Sequence, residues 1–525
     1  MQSPFTPRTR REFLGEVGQG MLIASVGASL ASDLGVAGAR ADEASDALTF
    51  GALEPLVALM QETPIERLQS ALVERMRNGS ELRTMVAAGA LANARTFGGE
   101  DYIGFHTMMA LAPAYHMALE LPEPRRALPV LKVLYRNTNR IHEHGGRASE
   151  VLHKVAPADV SPGENGGELL REATRAKDVD RAERTFAALA NGSAEDALNS
   201  LLYAVDDATE VHRVALPYRA YDLLGIIGPE HAHTLLRQSV RYCVRNEDRT
   251  STSHKSGPRA ILPKLFDEYH LAGKTPGDRA VDDAWIEAMV QTLFTSSPDA
   301  AAQAAAAALA EGISPAAVGE AICLAANQLV LRDPGRPARF ESPGKPLGSV
   351  HGDSVGVHAC DSANAWRNMA LVGNPRNTFA CLILGAYQAT LDRVQYGGGD
   401  LAKLEPLPVA RHVEQVTASE PDALLRELDA AVRGNLQSHA SAITYRYGQL
   451  GHPPRGVFDV LLKYAISEDG ALHAEKYYRT VSEEFAATRP AFRWRQLVAL
   501  ARVTASEYGR PAAGCEEARG LLKLA

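Results

Sequence analysis

Residues 106–146 read HTMMALAPAYHMALELPEPRRALPVLKVLYRNTNRIHEHGG, and a related stretch begins 252 positions later. Residues 106–146 align without a gap with residues 358–398, so that His106 falls on His358. A second pair of segments, related by a shift of 261 positions, places His212 on His473. Internal repeats of this length are typical of helical units that bury one another's apolar faces. The chain is therefore predicted to contain two duplicated halves, each with two histidine-bearing segments.

The fold class follows from the spacing of apolar residues. Ala, Leu, Glu and Arg dominate, and apolar residues recur every three or four positions, as in residues 64–76 (PIERLQSALVERM). This period favours amphipathic helices. Asn-Gly-Ser at residues 78–80 and 191–193 is typical of the turn of a helical hairpin. We predict an all-α fold of helical-hairpin pseudo-repeats, with two duplicated halves packed around one central site. The polar residues 246–258 (NEDRTSTSHKSGP) are predicted to form a loop.

The first forty residues have the pattern of an export signal. Residues 9–14 read TRREFL, a short apolar run follows at residues 21–30, and residues 39–41 read ARA. A twin-arginine pair before a short apolar run and a small-residue cleavage site is typical of export in the folded state. We expect a signal peptide at 1–41, a first helical half at 42–290 and a second at 291–525. The mature protein is expected to be periplasmic or secreted.

Composition excludes several classes of function. The formal net charge is -8, without a basic block, which argues against a nucleic-acid partner. No run of eighteen apolar residues occurs, so no transmembrane segment is predicted. The chain contains no GxGxxG after a strand, no GxxxxGK[ST], no HExxH and no CxxCH. These motifs would indicate nucleotide binding, zinc proteolysis or covalent haem.

The four histidines in repeat register are the candidate functional residues. Each of them follows an apolar residue and lies where a loop meets a helix: His106, His212, His358 and His473. A single histidine at such a place is more often an ordinary buried polar residue, but four in register favour a shared ligand. Imidazoles held by rigid helices are common ligands of transition metals. We predict a four-histidine metal site, with iron first and copper, manganese or zinc as other candidates; haem is the alternative cofactor.

Three further residues are candidates for catalysis. Asp361 lies three positions after His358, on the same helix face, where its carboxylate can accept an imidazole proton or act as a base. Tyr221 lies nine positions after His212 and is a candidate for a deeper pocket wall, with core packing as the simpler interpretation. His351 lies in a stretch rich in Gly and Pro, residues 333–353, which has no equally long counterpart before His106. That stretch is either a substrate loop or a tolerated surface insertion.

Three stretches resemble a known family: residues 102–106 (YIGFH), residues 210–212 (EVH) with 223–232 (LLGIIGPEHA), and residues 357–365 (VHACDSANA). They are similar to questin oxidase-like proteins, whose helical domain in bacteria is sometimes joined to a Rieske iron–sulfur domain. The resemblance implies an all-α fold and an oxygenase that acts on an aromatic or ketone substrate without a recognised flavin site. The chain has no Rieske ligand pair, so electrons would come from an external donor.

Taken together, the sequence predicts an exported metal-dependent oxidoreductase that acts on a small organic molecule. Two alternatives remain open at this stage. One is a non-catalytic helical protein that carries haem, a metal or an organic ligand. The other is a repeat scaffold for protein partners, in which the histidines are buried polar residues.

Overall fold

The computed structural model describes residues 47–524, apart from residues 162, 398 and 399. The described residues are almost entirely helical, and β-structure among them is limited to isolated bridges such as Arg279 with Ile313. The predicted all-α class is therefore confirmed. The predicted signal peptide at 1–41 lies outside the described residues.

The α-helices of the described residues span Glu54–Glu62, Ile65–Arg77, Leu82–Phe97, Tyr102–Leu119, Ala127–Glu143, Gly166–Arg175, Val179–Leu189, Ala194–Val205, Val211–Ile227, Ala232–Arg245, Thr252–Glu268, Asp283–Thr295, Pro298–Ala310, Pro315–Arg332, Val355–Val372, Pro375–Asp392, Ala410–Glu414, Pro421–Arg433, Gln437–Gln449, Arg455–Ser467, His473–Ala487, Trp494–Glu507 and Cys515–Leu521. Short 3-10 turns lie at Gly51–Leu53, Glu123–Arg125, Gly146–Ser149, Pro229–His231, Ala338–Phe340 and Leu401–Lys403, and a π-turn lies at Arg393–Gly397.

Helix starts follow the local sequence signals. Ser193 accepts a hydrogen bond from the Asp196 amide, while the Asp196 carboxylate accepts one from the Ser193 amide, which completes a capping box. Ser314 and Ser297 cap helices whose first residue is proline. Proline is tolerated there because the first amides of a helix have no intrahelical partner. The hairpin turns predicted from Asn-Gly-Ser therefore separate helices as expected at both positions.

Four helices, each named here by its histidine, form a closed ring. The His106 helix (Tyr102–Leu119) packs against the His212 helix (Val211–Ile227), and that helix packs against the His358 helix (Val355–Val372). The His473 helix (His473–Ala487) packs against both the His358 and the His106 helices and closes the ring. Most residues of these four helices are buried, so the ring belongs to the core.

Neighbouring helices hold the ring in place through apolar and polar contacts. The Asn93 amide, on the helix before the His106 helix, donates to the Gly104 carbonyl at 2.8 Å and to Asn137 Oδ1 at 2.7 Å. Thr107 also donates to Asn137 Oδ1, at 2.8 Å. On the His358 helix, the fully buried Trp366 donates to Gln388 Oε1 at 2.8 Å. Because buried polar groups without partners are costly, these bonds fix the rotation of the helices they join.

The described residues from Leu48 onward form one compact unit. The parts of the two predicted helical halves that the structure describes therefore belong to the same unit. The five cysteines are free thiols, and all are buried. In the described part of the chain, no helix is both long enough and apolar enough to cross a lipid bilayer.

The loop predicted at 246–258 is wrong in its second half, because a helix spans Thr252–Glu268. His254 is buried, and its Nδ1 lies 3.0 Å from the Thr209 carbonyl, while the Thr209 amide donates to the His254 carbonyl. Lys255 donates to the Glu247 carbonyl. Tertiary contacts thus outweigh the weak helix preference of these polar residues. They also fix the chain next to Glu210, the residue that precedes the His212 helix.

A histidine outside the ring gives a test of the packing. Burial, aided by the Arg237 cation, lowers the pKa of His233 from 6.5 to about 4, and its ring stacks on Phe186 with centroids 5.9 Å apart. Between pH 6.5 and 4 the unfolded chain binds a proton that the folded chain does not, so the stability falls as the pH falls through this range. We expect His233→Phe to lose about 2–3 kcal/mol less free energy of unfolding over this pH range than the wild type does. Phenylalanine keeps the stacking on Phe186 but has no proton to gain. Urea unfolding of the wild type and of His233→Phe between pH 7 and 4 measures the free energy of unfolding at each pH. If that free energy falls equally steeply with pH in both proteins, the prediction is contradicted.

Candidate functional site

The four histidines are presented by helix starts. Asp101 caps the His106 helix through the Gly104 amide, Glu210 caps the His212 helix, and Ser354 caps the His358 helix through the Val357 amide. His473 is itself the first residue of its helix. The positive ends of four helix dipoles therefore converge on the rings, which favours neutral imidazoles over imidazolium cations.

The structure brings all four imidazoles together. Around the ring, centroid separations are 4.8 Å for His106–His212, 5.7 Å for His212–His358, 5.2 Å for His358–His473 and 5.2 Å for His473–His106. Each imidazole therefore touches two others, in the same order as the helices pack. His106 and His473 are 3% exposed, whereas His212 and His358 are only partly buried. The rings thus form a cluster that reaches solvent on the His212–His358 side.

Hydrogen bonds define the orientation of two rings. His106 Nδ1 lies 2.7 Å from the Tyr102 carbonyl oxygen, and His212 Nδ1 lies 2.7 Å from Glu210 Oε1. Both oxygens can only accept, so both Nδ1 atoms carry the proton. When these rings are neutral, each Nε2 presents a lone pair. Both Nε2 atoms are buried and have no hydrogen-bond partner among the described residues.

Burial keeps the imidazoles of His106, His358 and His473 neutral. It holds the pKa of His106 and of His473 well below the usual 6.5, and the Lys476 cation lowers both further. For His358, burial and the His212 ring lower the pKa to about 3. Neutral imidazoles with free lone pairs are the protonation state in which histidine binds metals.

Glu210 anchors the His212 side of the cluster. Its carboxylate accepts hydrogen bonds from His212 Nδ1, from the amides of His212 and Arg213, and from the Tyr242 hydroxyl at 2.7 Å. Burial raises the pKa of Glu210, but the His212 ring and these hydrogen bonds outweigh it and lower the pKa to about 2. A carboxylate bound to Nδ1 of a ligand histidine is the usual arrangement around metal sites.

The rings of the four histidines are in contact, but their nitrogen atoms do not all point to one common position. His358 Nε2 and His473 Nε2 lie 3.1 Å apart, so one of these two rings donates a hydrogen bond to the other, and His473 Nδ1 has no partner. Across the described ranges, no set of three or more His, Cys, Asp or Glu side chains is placed so that it could hold a metal ion as it stands. The cluster is therefore an assembly of imidazoles in contact, with one close pair of Nε2 atoms.

Aromatic side chains line the outer side of the cluster. The Phe105 ring lies 4.9 Å from the His106 ring and 5.1 Å from the His212 ring. Tyr102 lies 4.4 Å from His106 between ring centroids, and 58% of it is exposed. Tyr102 therefore separates the imidazoles from solvent and forms the accessible wall of the site.

A second layer lies one helical turn below the histidines. It consists of the residues three positions after each histidine, namely Met109, Ala215, Asp361 and Lys476, which line a small cavity together with His212, His358, Val211 and Arg219. The cavity leaves about 10 Å³ for the centre of a water-sized molecule. Residues three apart in a helix share a face, so the alignment of the histidines also aligns this layer.

Asp361 lies in this second layer, as the sequence placed it. Thr480 donates to its Oδ1 at 2.8 Å, and burial raises the pKa of its carboxyl despite the cations of Lys476 and Arg219. Burial also lowers the pKa of Lys476, to about 8, although Asp361 and Glu475 counteract it. An acid and an amine thus line the same cavity in a site with little water, where both are less strongly ionised than in solution.

The loop before the His358 helix ends against His473. The Val350 amide donates to Ser506 Oγ at 2.8 Å, and the Gly352 amide donates to Glu507 Oε1 at 2.7 Å. Between them, His351 is 1% exposed, and its Nδ1 lies 3.6 Å from Glu507 Oε1. The middle of the loop is open to solvent at Phe340 and Leu347. Only the end of residues 333–353 therefore belongs to the site, with His351 beside the cluster rather than within it.

Tyr221 does not join the site. Its hydroxyl donates to Glu195 Oε1 at 3.1 Å in an exposed hydrogen bond. Tyr221 follows His212 by nine residues, which is about two and a half helical turns. It therefore lies on a different face of the helix, the face next to Glu195. The prediction that Tyr221 forms a deeper pocket wall is corrected on this ground.

Sequence reasoning missed Lys476 and Arg219. Both are buried, and both line the cavity below the histidines. The signal was present, because Lys476 occupies the same register after His473 as Asp361 does after His358. Extending the alignment by one turn would have found the second layer.

The start of the His473 helix has an unusual backbone. Ala471 and Leu472 both have positive φ angles, 49° and 66°. Non-glycine residues rarely adopt this region, at a cost of about 1–3 kcal/mol each. The conformation buries Leu472 and makes His473 the first helical residue. Among the four histidines, His473 is thus positioned at the expense of local strain.

Comparison with models of known protein families, with curated proteins and with solved structures finds no match for this chain.

A pair of glycines tests how the loop holds His473. A Cβ on Gly352 would lie 2.3 Å from the His473 Cβ and 2.8 Å from Glu507 Oε1. We expect Gly352→Ala to lower the free energy of unfolding by about 1–3 kcal/mol, because the loop end or His473 must shift. Chemical denaturation measures the change.

Gly225→Ala is the matched control. Gly225 lies in the His212 helix, is exposed, and a Cβ there would meet nothing within 4 Å. Since alanine favours a helix interior over glycine, we expect a gain of about 0.5–1 kcal/mol. Equal effects of the two substitutions would contradict the close packing of the loop on His473.

Proposed function

We propose that this protein is an exported metal-dependent oxidoreductase in which His106, His212, His358 and His473 hold one metal ion. The observation that carries the proposal is the closed ring of four imidazoles. Its members come from four helices far apart in the chain, and the Nε2 atoms of His106 and His212 are buried without partners. An unpartnered buried nitrogen costs about 1–3 kcal/mol, and a bound metal would offset that cost.

The geometry of the close pair fits a metal ion. With metal–nitrogen distances of about 2.1 Å, two imidazoles on one metal have nitrogens about 3.0 Å apart at a right angle and about 3.4 Å apart at the tetrahedral angle. The 3.1 Å separation of His358 Nε2 and His473 Nε2 lies in this interval. His106 and His212, whose Nε2 atoms are buried without partners, would complete the ligand set.

Iron is the first candidate among the metals. Imidazole ligands suit iron, copper, manganese and zinc alike, and a redox-active metal with an open position can activate dioxygen. Haem fits less well, because adjacent ring centroids are 4.8–5.7 Å apart and leave no room for a porphyrin between them. This chain's own residues would orient the ligands through Glu210 and the Tyr102 carbonyl and limit water access through Phe105.

The substrate class comes from the resemblance to questin oxidase-like proteins. It implies oxidation of an aromatic or ketone compound. Such a molecule would approach from the side of Tyr102, whose ring is exposed and lies against His106. The cavity on the other side is too small for it. Because the chain has no Rieske ligand pair, electrons would come from an external donor.

Duplication and export belong to the same proposal. The register of the four histidines and of the layer below them supports two duplicated halves packed around the central site. The twin-arginine pattern at 1–41 supports export after folding to the periplasm or beyond. Export in the folded state would allow the metal to be inserted before the chain leaves the cytoplasm.

A non-catalytic metal carrier is the second candidate. The small volume of the cavity below the rings favours it, because a carrier needs no room for an organic substrate. A protein that binds metal but takes up no oxygen with any of a panel of phenols, quinones and aryl ketones, with a reductant present, would be a carrier.

Metal content of the purified protein tests the proposal. We expect about one iron, or one of the other candidate metals, per chain in the wild type. His358→Ala should lower the affinity at least tenfold, since it removes one member of the close nitrogen pair. Metal analysis after dialysis against a weak chelator measures both.

His233→Phe is the control, because it replaces a partly buried histidine outside the ring. It should keep the wild-type metal content. A wild-type protein that folds yet binds none of the four metals, or a His358→Ala variant with unchanged metal content, would overturn the proposal.

A further inference from the structure

His473 is held in place differently from two of its neighbours in the cluster. His106 and His212 each have Nδ1 bonded to a fixed oxygen atom. His473 Nδ1 has no partner among the described residues, and its Nε2 contacts only another ring of the cluster, that of His358, at 3.1 Å. The position of the His473 imidazole is therefore set by the backbone at the start of its helix.

That backbone is strained, and a neighbouring segment binds it. Ala471 and Leu472 have φ angles of 49° and 66°, which non-glycine residues keep only where the surrounding structure imposes them. Just before them, the Glu468 carboxylate accepts hydrogen bonds from the amides of Gly509 and Arg510, at 3.0 and 2.7 Å. The turn before His473 is thus attached to the chain that follows the helix Trp494–Glu507.

Glu507 contacts both segments that flank His473. Its side chain is buried, and its Oε1 accepts a hydrogen bond from the Gly352 amide at 2.7 Å. On the other side, a Cβ built on Gly470 would lie 3.1 Å from Glu507 Oε2. Gly352 packs directly on His473, because a Cβ there would lie 2.3 Å from the His473 Cβ. The Gly470 carbonyl accepts a hydrogen bond from the His473 amide at 2.9 Å.

We propose that Glu507 is a positioning residue of the histidine cluster. Its carboxylate holds Gly352 and Gly470 against His473, and it thereby sets the place of an imidazole that has no bond of its own at Nδ1. Glu507 acts through His473 and touches neither metal nor substrate. The role of His473 as a ligand rests on the proposed function, whereas its positioning by Glu507 can be measured without metal.

Chemical modification of single histidines measures this positioning. Diethyl pyrocarbonate carbethoxylates neutral imidazoles that solvent can reach, and peptide mapping gives the rate at each histidine. In the full-length, metal-free protein, His473 and His254 are 3% and 7% exposed, so both should react slowly. Glu507→Ala removes the acceptor of the Gly352 amide, so the start of the His473 helix opens locally. We expect the ratio of the rate at His473 to the rate at His254 to rise by about tenfold.

Three further variants complete the test. Glu507→Gln keeps an oxygen for the Gly352 amide and should restore the wild-type ratio. Ser506→Ala removes the acceptor of the Val350 amide, at the same loop end, and should raise the ratio by about threefold. It covers the case in which Glu507→Ala does not fold. Glu183→Ala is the control.

Glu183 is as buried as Glu507 but lies elsewhere. It bonds Arg237 Nε at 2.6 Å, and its helix, Val179–Leu189, packs against the helices Gly166–Arg175, Ala194–Val205 and Ala232–Arg245. Its removal should lower the stability of the protein and leave the ratio unchanged. Global unfolding exposes His473 and His254 alike, so a merely structural role of Glu507 would not raise the ratio.

The outcomes separate this inference from the proposed function. A ratio that is equal in the wild type and in Glu507→Ala, or one that rises as much in Glu183→Ala, would overturn the positioning role whatever the metal content. A ratio that depends on Glu507 in a protein unable to bind metal would support the positioning role and overturn the metal proposal. A protein that binds metal through the four histidines, with a ratio that ignores Glu507, would do the reverse.

Discussion

The contact of four imidazoles at the centre of the helical ring is the feature on which the rest of the structure depends. Burial keeps the rings of His106, His358 and His473 neutral, and it is possible because four helices start around them. His106 and His212 each donate Nδ1–H to a fixed oxygen, so their unpartnered nitrogens are Nε2. A core built for stability alone would replace such groups by apolar side chains, since buried polar atoms without partners destabilise the folded state. The metal that we propose would give these nitrogens a partner.

The surrounding elements serve to keep these rings in position. Glu210 ends the preceding segment, caps the His212 helix and binds the His212 imidazole at the same time. On the opposite side, Lys132 pairs with the buried Glu475 at 2.6 Å and donates to the carbonyls of Ala465 and Glu468, which ties the His473 helix to its neighbours. Positive φ angles at Ala471 and Leu472 add strain at that same helix start. Rigid supports of this kind are what a preorganised site requires.

Much of this arrangement could be predicted from the sequence, because repeat register carries spatial information. Two gapless shifts placed four histidines at equivalent helix starts, and the structure brings all four together. Asp361 was found because it follows His358 by one turn. Lys476 was not, because a lysine in a helix is most often solvent-exposed. The helix at Thr252–Glu268 was missed because tertiary contacts of His254 and Lys255 outweigh a polar, loop-like composition. The prediction for Tyr221 was wrong because spacing along the sequence shows how far a residue lies along a helix. It does not show which other helix its side chain contacts, here the one that carries Glu195.

The central claim is that four imidazoles share one metal, and a crystal structure of the protein purified with iron tests it most directly. Anomalous scattering measured on both sides of the iron absorption edge locates the metal independently of the protein atoms. The account predicts one peak within about 2.4 Å of the Nε2 atoms of His106, His212, His358 and His473. Rings in their present positions with no peak between them, or a peak bound by residues outside the ring, would contradict it.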